Sequence, residues 1–466
     1  MANFLLCATA MIVGSKIQPW FFPTSLLIPI IYGLNRKKTS IVLLFLGAFA
    51  ISFLMGYLTF DTTFDSISYH KPTIQALSNN WNPIYDNRGD LGLWTLHYAR
   101  GLELQASTIA STGLGLEASK AINFMFFFST IALAFAALRK TFPELSSKQI
   151  AIAVFVLMSN PVVLSQLFTF YNDAYLYMEV ISMIALFMIW HKNSGKTFIY
   201  SLMLISVTLM AVNTKFTHLF FCCLIWGGFW IYLLWTKNYK LLRKAFLLGT
   251  SAIVLGVVFI GFNPYITNTL TTGDPFYPLL SNRVDIMTTN TPEILVTDNR
   301  FLAFVKAQLS NETQAWSVVS GNVNLQDFLK PSADSRTLGF GLLFAPLFIF
   351  SIILMLINKA SKNLWIALAL SLVPLAFFEQ SWWARYIPFP WIIITIGIIS
   401  YFKRKSDNKS NNLLCSKILY FIILIMVVMT MVITVGRNAG RRIHARFQPE
   451  IIESISDTGS QRTHSS

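Results

Sequence analysis

Charge is scarce in this chain of 466 residues, where Asp, Glu, Lys and Arg together make up 12%. Soluble proteins carry about 25%, so a water-soluble fold is not expected. Cysteine is scarce too: Cys7, Cys222, Cys223 and Cys415 lie in or beside apolar stretches. They lack the spacing of zinc ligands or of a disulfide framework and read as small buried hydrophobes. No His, Asp and Glu residues stand at a spacing that completes a metal shell. No metal and no other cofactor is expected, and a divalent ion is not indicated by the sequence. The repeats common in transporters are missing. No basic segment precedes the first apolar run, so a cleaved signal peptide is not expected.

What is abundant is apolar: 54% of the residues are hydrophobic and 15% aromatic. A helix crosses a bilayer with about 20 such residues. Runs that qualify, or nearly do, fall at about 41–59, 120–138, 150–168, 174–190, 197–213, 216–235, 245–262, 337–357, 364–378, 387–401 and 417–436. At the start, 3–15 and 18–34 are separated by Lys16 and broken by Pro19 and Pro23, and form either a hairpin or one kinked helix. The reading is an all-α polytopic membrane protein of about 12–13 transmembrane helices, with residues 1–436 as one transmembrane domain. Residues 437–466 form a short polar tail whose Ser, Thr, Gly and Gln from about 451 read as disordered.

The net charge of +15 comes mostly from short connections. Segments 35–40, 139–149, 191–196, 236–244, 359–363 and 402–417 hold more than half of the 36 basic residues and two acids, Glu144 and Asp407. The opposite connections, 169–173, 213–216 and 379–386, hold only Lys215 and Arg385 as bases. The first set reads as cytoplasmic and the second as external. The excess is therefore an orientation signal, and nucleic acid is not an expected partner. Arg437, Arg441, Arg442 and Arg446, after the last run, go against this count. Two long connections, 60–119 and 263–336, are external. Leu91 to Leu96 in the first suits a short amphipathic helix at the membrane surface.

Ionisable groups inside a span are costly, and besides Lys16 only Glu179 lies clearly within one. The others gather at the external mouth. The clusters are Phe64-Asp65-Ser66-Ile67-Ser68-Tyr69-His70-Lys71 (with Asp61 before it), His97-Tyr98-Ala99-Arg100-Gly101, Phe170-Tyr171-Asn172-Asp173, Asn213-Thr214-Lys215-Phe216-Thr217, Gly273-Asp274-Pro275-Phe276-Tyr277-Pro278 and Ser381-Trp382-Trp383-Ala384-Arg385-Tyr386. Transfer of a sugar from a lipid phosphate to a hydroxyl uses such parts. A carboxylate takes the hydroxyl's proton, and Arg or Lys holds the leaving phosphate as its charge grows. Aromatic, amide and acidic groups hold the sugar and acceptor. Arg385, Arg100 and Lys215 are the phosphate candidates, with Tyr69, His70, His97, Asn172, Asp173 and Glu179 for sugar and acceptor. Plainer readings stand beside these. Asp173 also suits a helix cap, Trp382 and Trp383 the interfacial belt, Gly273-Asp274-Pro275 a turn, and Glu179 a hydrogen bond to a neighbouring helix.

The same segments resemble the GT-C superfamily of polyprenyl-phosphate-sugar-dependent glycosyltransferases. Bacterial members related to protein O-mannosyltransferases and the lipid A aminoarabinose transferase are the most similar. An acidic motif directly after the first span is matched by Asp65 to His70, and a His-Tyr-x-(Lys/Arg)-Gly stretch by His97 to Gly101. Asn160 to Asp173 looks like the acidic second external loop. Phe262-Asn263-Pro264-Tyr265, Gly273 to Pro278 and Trp383 to Tyr386 complete a likeness over most of 41–401. The resemblance implies that Asp65 is the catalytic base and that the donor sugar rides on undecaprenyl phosphate. Where many relatives have an Asp-Glu pair, Ser66 follows Asp65 here, which leaves Asp61 as the second candidate base. A large soluble C-terminal domain is missing, which turns the expected acceptor from protein toward a glycan or lipid-linked glycan.

The resulting expectation is an inverting glycosyltransferase of the bacterial inner membrane. Membrane lipids surround it, and it modifies a surface polysaccharide of O-antigen type at the periplasmic face. A polymerase of repeat units, and a flippase or transporter for lipid-linked sugars, are the alternatives. For orientation, a cysteine placed near Asn311 should react with an impermeant thiol reagent added outside, and one near Asn408 only after the membrane is opened. The reverse labelling pattern overturns the assigned sides.

Overall fold

The structure is a computed structural model that describes residues 2–86, 88–195, 198–279, 299–309, 339–341, 343–377, 380–406 and 413–447. Asn311 and Asn408, and most of the 280–338 stretch, lie outside the described residues. All regular elements among the described residues are helical. Six helices there are long and apolar enough to cross a membrane: Thr39–Leu58, Glu117–Thr141, Asp173–Lys192, Phe216–Trp235, Tyr239–Ile260 and Leu414–Arg446. In such a sequence only the helix satisfies every backbone group without water. Only 17% of the apolar window of Thr39–Leu58 is covered by protein, whereas 83% of that of Asp173–Lys192 is. Ile41, Leu43 and Leu44 on the first helix point outward. Lipid is the solvent that suits such a surface, and the chain is an all-α polytopic membrane protein.

The N-terminal runs form two helices, α1 (Ala2–Ile12) and α2 (Phe21–Asn35), separated by a turn in which Gly14 has φ +77°. Next come α3 (Thr39–Leu58), α4 (Lys71–Ser78), α5 (Leu93–His97), α6 (Gly101–Ile109) and α7 (Ala121–Thr141). The apolar run at 150–168 is not one helix. It divides into α8 (Ser147–Met158) and α9 (Pro161–Gln166), because Pro161 pushes Asn160 out of the helical region and Asn160 Oδ1 accepts the Val162 N–H at 2.9 Å. Then follow α10 (Asp173–Lys192), α11 (Phe198–Thr214), α12 (Phe216–Trp235), α13 (Tyr239–Leu255), α14 (Thr267–Thr272), α15 (Arg300–Leu309), α16 (Phe344–Ile357), α17 (Lys362–Leu372), α18 (Ile392–Ser406) and α19 (Leu413–Arg446). The last helix corrects the expected polar tail. Residues 437–446 continue the final span as helix, and the stretch from 448 lies outside the described residues.

The chain divides into two compact units. The first comprises Met1–Leu133, Leu167–Val284 and Ala439–Ser466. Helix α10 is its centre: Met183, Leu186 and Trp190 pack with Leu204 of α11, Trp226 of α12 and Ala245 of α13. Phe187 and Phe229 stack with centroids 3.8 Å apart. Cys7 and Met11 of α1 pack with Leu77 and Leu104 of the 60–119 connection. Of the cysteines read as buried hydrophobes, Cys7 and Cys222 are buried, but Cys223 and Cys415 are exposed. The second unit comprises Ala134–Gln166 and Asp285–Asn438. There α18 is the buried element, with Ile396 and Ile399 packed against Ala153, Met355 and Leu364.

Helix α3 delivers the chain to the 60–119 connection through one close approach. A Cβ at Gly56 would stand 3.0 Å from Ala121 N and 3.1 Å from Ala118 O, both backbone atoms. Backbone cannot swing aside as a side chain does, so only glycine lets α3 pack so tightly on the turn Glu117–Lys120. Gly56→Val should therefore lower stability by about 1–3 kcal/mol. The readout is the thermal unfolding midpoint of the detergent-solubilised protein, and an unchanged midpoint contradicts the close approach.

Candidate active site

Leaving α3, the strip from Thr59 to Thr63 has no regular structure, and Phe64 and Asp65 turn helical and lead into a wide helical turn, Ser66–His70. An apolar span ends at Leu58, so every polar group of this strip needs a partner. Lys120 Nζ donates to Thr59 O at 2.6 Å. The Phe60 N–H donates to Arg442 O at 2.9 Å, and the Asp61 N–H to Glu117 Oε2 at 3.1 Å. Lys71 Nζ reaches Asp61 O at 2.6 Å and also pairs with Glu117.

Asp61, the second candidate base, is fully buried. Its Oδ1 accepts the Thr63 N–H at 2.9 Å and the Thr63 hydroxyl at 2.8 Å. Its Oδ2 accepts the Phe170 N–H at 2.7 Å, and Arg442 Nε lies 4.0 Å from Oδ1. Burial pushes the carboxyl pKa up, but Arg442, Lys120 and Lys71, with the Ser66 hydroxyl, outweigh it and hold the pKa below the usual 3.8. A carboxylate so held does not take up a proton at neutral pH. Asp65, at the entrance to the wide turn, is half-buried. Such turns recur at functional sites.

The expected sugar-binding residues divide by their partners. His70 is buried and pairs through Nδ1 with Glu103. Both line a small cavity, about 10 Å³, with Ser119, Asn123 and Tyr175. Glu103 is also gathered with Arg100, Thr95, Tyr69, Trp94 and Tyr98 around a closely packed crevice. Tyr98 stands edge-on to Trp94, 5.3 Å between centroids. Arg100 is buried over the Trp81 ring at 5.1 Å, and its Nη2 donates to Leu96 O at 2.7 Å. Burial lowers its pKa to about 10 against the pull of Glu103, so it stays charged at neutral pH. Its Nε and Nη1, and Glu103 Oε2, have no hydrogen-bond partner among the described residues. His97 turns away to cross-link the two long connections: Nδ1 lies 2.9 Å from Asn268 Oδ1, and Asn268 Nδ2 donates to His97 O at 2.9 Å.

The third and fourth clusters meet at the start of α10. Lys215 Nζ pairs with Asp173 Oδ1 at 2.6 Å, and Asn172 Nδ2 donates to Thr214 O at 3.2 Å. Glu179 accepts the Thr214 hydroxyl at 2.8 Å, and its other oxygen lies 2.8 Å from His218 Nδ1. The hydrogen bond to a neighbouring helix is thus what Glu179 makes, and Lys215 is engaged by an acid rather than open to a phosphate. Gly101 closes the assembly: a Cβ there would stand 2.8 Å from Asn213 O, which explains why glycine follows Arg100.

Arg385 belongs to the second unit. Its guanidinium lies 4.7 Å from the Trp383 ring centre and 5.5 Å from that of Tyr386. Trp383 stacks on Trp382 at 5.2 Å, with Ala303 and Ala307 packed against the pair. The expected stack of Arg385 on an aromatic face is present, and Trp382 and Trp383 are buried rather than forming an exposed belt.

Five of the six clusters thus lie within the first unit, joined by specific bonds. Glu103, Glu117, Lys120, His218 and Arg442 were missed as members. The i, i+3 spacing of Arg100 with Glu103, and of Glu117 with Lys120, was the available signal. Among the described residues no group of His, Cys, Asp and Glu is arranged to hold a metal ion. No protein-family model matches the chain, and no curated protein matches it.

Asp61→Asn removes the charge that Arg442, Lys71 and Lys120 face and should cost about 3–5 kcal/mol, the range for breaking a buried ion pair. The pH dependence carries a sign. The folded pKa is depressed, so the stabilisation is complete above the unfolded value of 3.8 and is lost as pH falls through the folded one. Unfolding followed against pH should show an acid loss in the native protein that is smaller in Asp61→Asn. Parallel curves would mean that Asp61 is not held as described.

Proposed function

We propose that the chain is a membrane glycosyltransferase that moves one sugar from a polyprenyl-phosphate donor, with inversion, to a hydroxyl of a glycan or lipid-linked glycan. One observation carries the reading: of the two acids of the motif after α3, one is fully buried and the other is only half-buried. Asp61 is sealed among cations, while Asp65, four residues on, is half-buried at the mouth of a wide turn whose Tyr69 and His70 line the crevice and the small cavity. In the proposed step the acceptor oxygen attacks the anomeric carbon and Asp65 takes its proton. The bond from that carbon to the phosphate oxygen breaks, and its electron pair leaves with the polyprenyl phosphate. Two further features support a sugar. A hydroxyl can accept from Arg100 and donate to Glu103 at once, and Tyr69, Trp94 and Tyr98 supply flat faces beside them. Arg385, whose planar guanidinium stacks on Trp383, is the proposed phosphate ligand.

The finer localisation belongs to the same reading: an inner membrane of bacterial type, with the site on the periplasmic side and an O-antigen-like acceptor. Glu179 lies six residues into α10, about 9 Å along the axis, and its partner His218 lies at the start of α12. The buried charges of α10–α12 therefore keep to one end of their helices, which favours transfer at a membrane face over a transporter's central cavity.

In detergent, where no transporter turns over, Asp65→Asn should lower transfer by ~10²–10⁴-fold with expression unchanged. Full activity in Asp65→Asn removes the base assignment. Arg385→Lys should weaken turnover and apparent donor affinity, and Arg385→Ala should weaken both further, because an ammonium lacks the planar fork. Donor saturation curves of native shape from Arg385→Ala reduce that residue to packing.

A further inference from the structure

We infer that the C-terminal end of α19 is a positioning arm for the Asp65 strip, and that Arg442 acts on the proposed transfer through that strip. Its role as a positioning residue rests on the glycosyltransferase reading; the seating of the arm does not.

Two contacts fasten the arm to the strip from one residue. The Arg442 carbonyl accepts the Phe60 N–H at 2.9 Å, and the Arg442 guanidinium stands 4.0 Å from the Asp61 carboxylate. One turn later, Arg446 covers the ring of Tyr57 in α3 at 5.0 Å. The arm therefore grips the end of α3 and the first residues after it. Asp61 in turn holds Thr63 and Phe170 through its carboxylate, and Thr63 Oγ1 stands 2.7 Å from the hydroxyl of Ser66, next to Asp65. A series of contacts, an ion pair at 4.0 Å followed by hydrogen bonds, runs from Arg442 to the residue beside the proposed base. The other two cations at the strip, Lys71 and Lys120, are shared with Glu117. Arg442 is thus the charge that reaches Asp61 from a distant part of the chain. A base misplaced by about 1 Å loses on the order of 10²-fold in rate.

The sequence pattern fits this role. Four arginines after an apolar span, on the side where positive charge is otherwise sparse, are anomalous as an orientation signal. They are explained if Arg442 and Arg446 are retained for their contacts with the strip and with α3.

Two full-length variants test the arm. Arg442→Gln removes the charge and keeps the helix. Gly440→Pro removes an intrahelical N–H donor and clashes with the carbonyl four residues back, which redirects the arm. Gly440→Ala is its control, since a Cβ there meets nothing within 4 Å. The first readout needs no substrate: amide hydrogen exchange of a peptide spanning 59–66. Exchange there should rise at least tenfold in Gly440→Pro and stay native in Gly440→Ala. Native exchange in a folded Gly440→Pro protein overturns the inference. The second readout is steady-state transfer. Arg442→Gln should lower kcat about 10–100-fold with KM for the donor unchanged and a native unfolding midpoint, and Arg442→Lys should recover part of the loss. A fall in kcat matched by loss of folded protein makes Arg442 merely structural and refutes its positioning role. If the native chain shows no transfer while exchange responds as described, the glycosyltransferase reading falls and the seated arm stands.

Discussion

A carboxylate removed from water at the end of an apolar helix must be surrounded by donors and positive charge, or it will not stay ionised. Asp61 is that carboxylate, and the first unit is arranged around it. Its acceptor sites are filled from Thr63 and from Phe170, and its surroundings draw cations from three places: Lys71 of α4, Lys120 at the start of α7 and Arg442 near the end of α19. Glu117 bridges the two lysines. A buried network of this kind adds little net stability over a well-packed apolar core. What it penalises heavily is any arrangement that leaves one member alone. The three distant segments are therefore tied to a single geometry.

That geometry accounts for where the other polar clusters go. With Phe170 bound to Asp61, the segment leading into α10 is set, and with it the positions of Asn172 and Asp173 beside the α11–α12 junction. With Gly101 pressed on Asn213, α6 lies against the same junction, which brings Arg100 and Glu103 under the aromatic trio of Tyr69, Trp94 and Tyr98. His97 then reaches Asn268 across the two long connections. Charged and polar groups collect at one end of α10–α12, while the outer faces of α3 and α12 keep leucine and isoleucine exposed. The packing requirement and the lipid requirement do not compete, because they act on different faces and different ends of the helices.

Hydropathy made the helical class and most spans legible, since a run of twenty uncharged residues such as Thr39–Leu58 has the length of a spanning helix and about twice that of a spanning strand. It misled at 150–168, where composition stays apolar through Asn160-Pro161 and only the proline reports the break. It misled again after 436, because arginines lower hydropathy without lowering helix propensity, so α19 runs on to Arg446. The clusters were legible as clusters. Their pairing was not: Asp61 with Arg442, Glu103 with His70 and Glu179 with His218 join residues far apart in the chain. Only the i, i+3 pairs left a local trace. For the same reason the sequence could rank Asp65 ahead of Asp61 as base only by resemblance, since what distant segments bring to Asp61 leaves no local trace.

The difference between those two acids bears on which chemistry the first unit can support. A general base must be able to gain and lose a proton within each turnover, so it cannot be a group whose charged form is held by several cations and fully satisfied by donors. Asp61 is such a group, and its low pKa makes it a fixed negative charge. Asp65 shares the same short strip but stands half-buried where the chain enters a wide turn. Separating two like residues by environment is a general way to assign one a structural and the other a reactive part. In the proposed enzyme that separation would lie within one short segment, with the buried carboxylate anchoring the strip that leads to the half-buried one. Whatever disturbs the anchor must also displace the acid four residues on. Under the proposed function the cations at Asp61 act by holding that strip, and none of them has to touch a substrate.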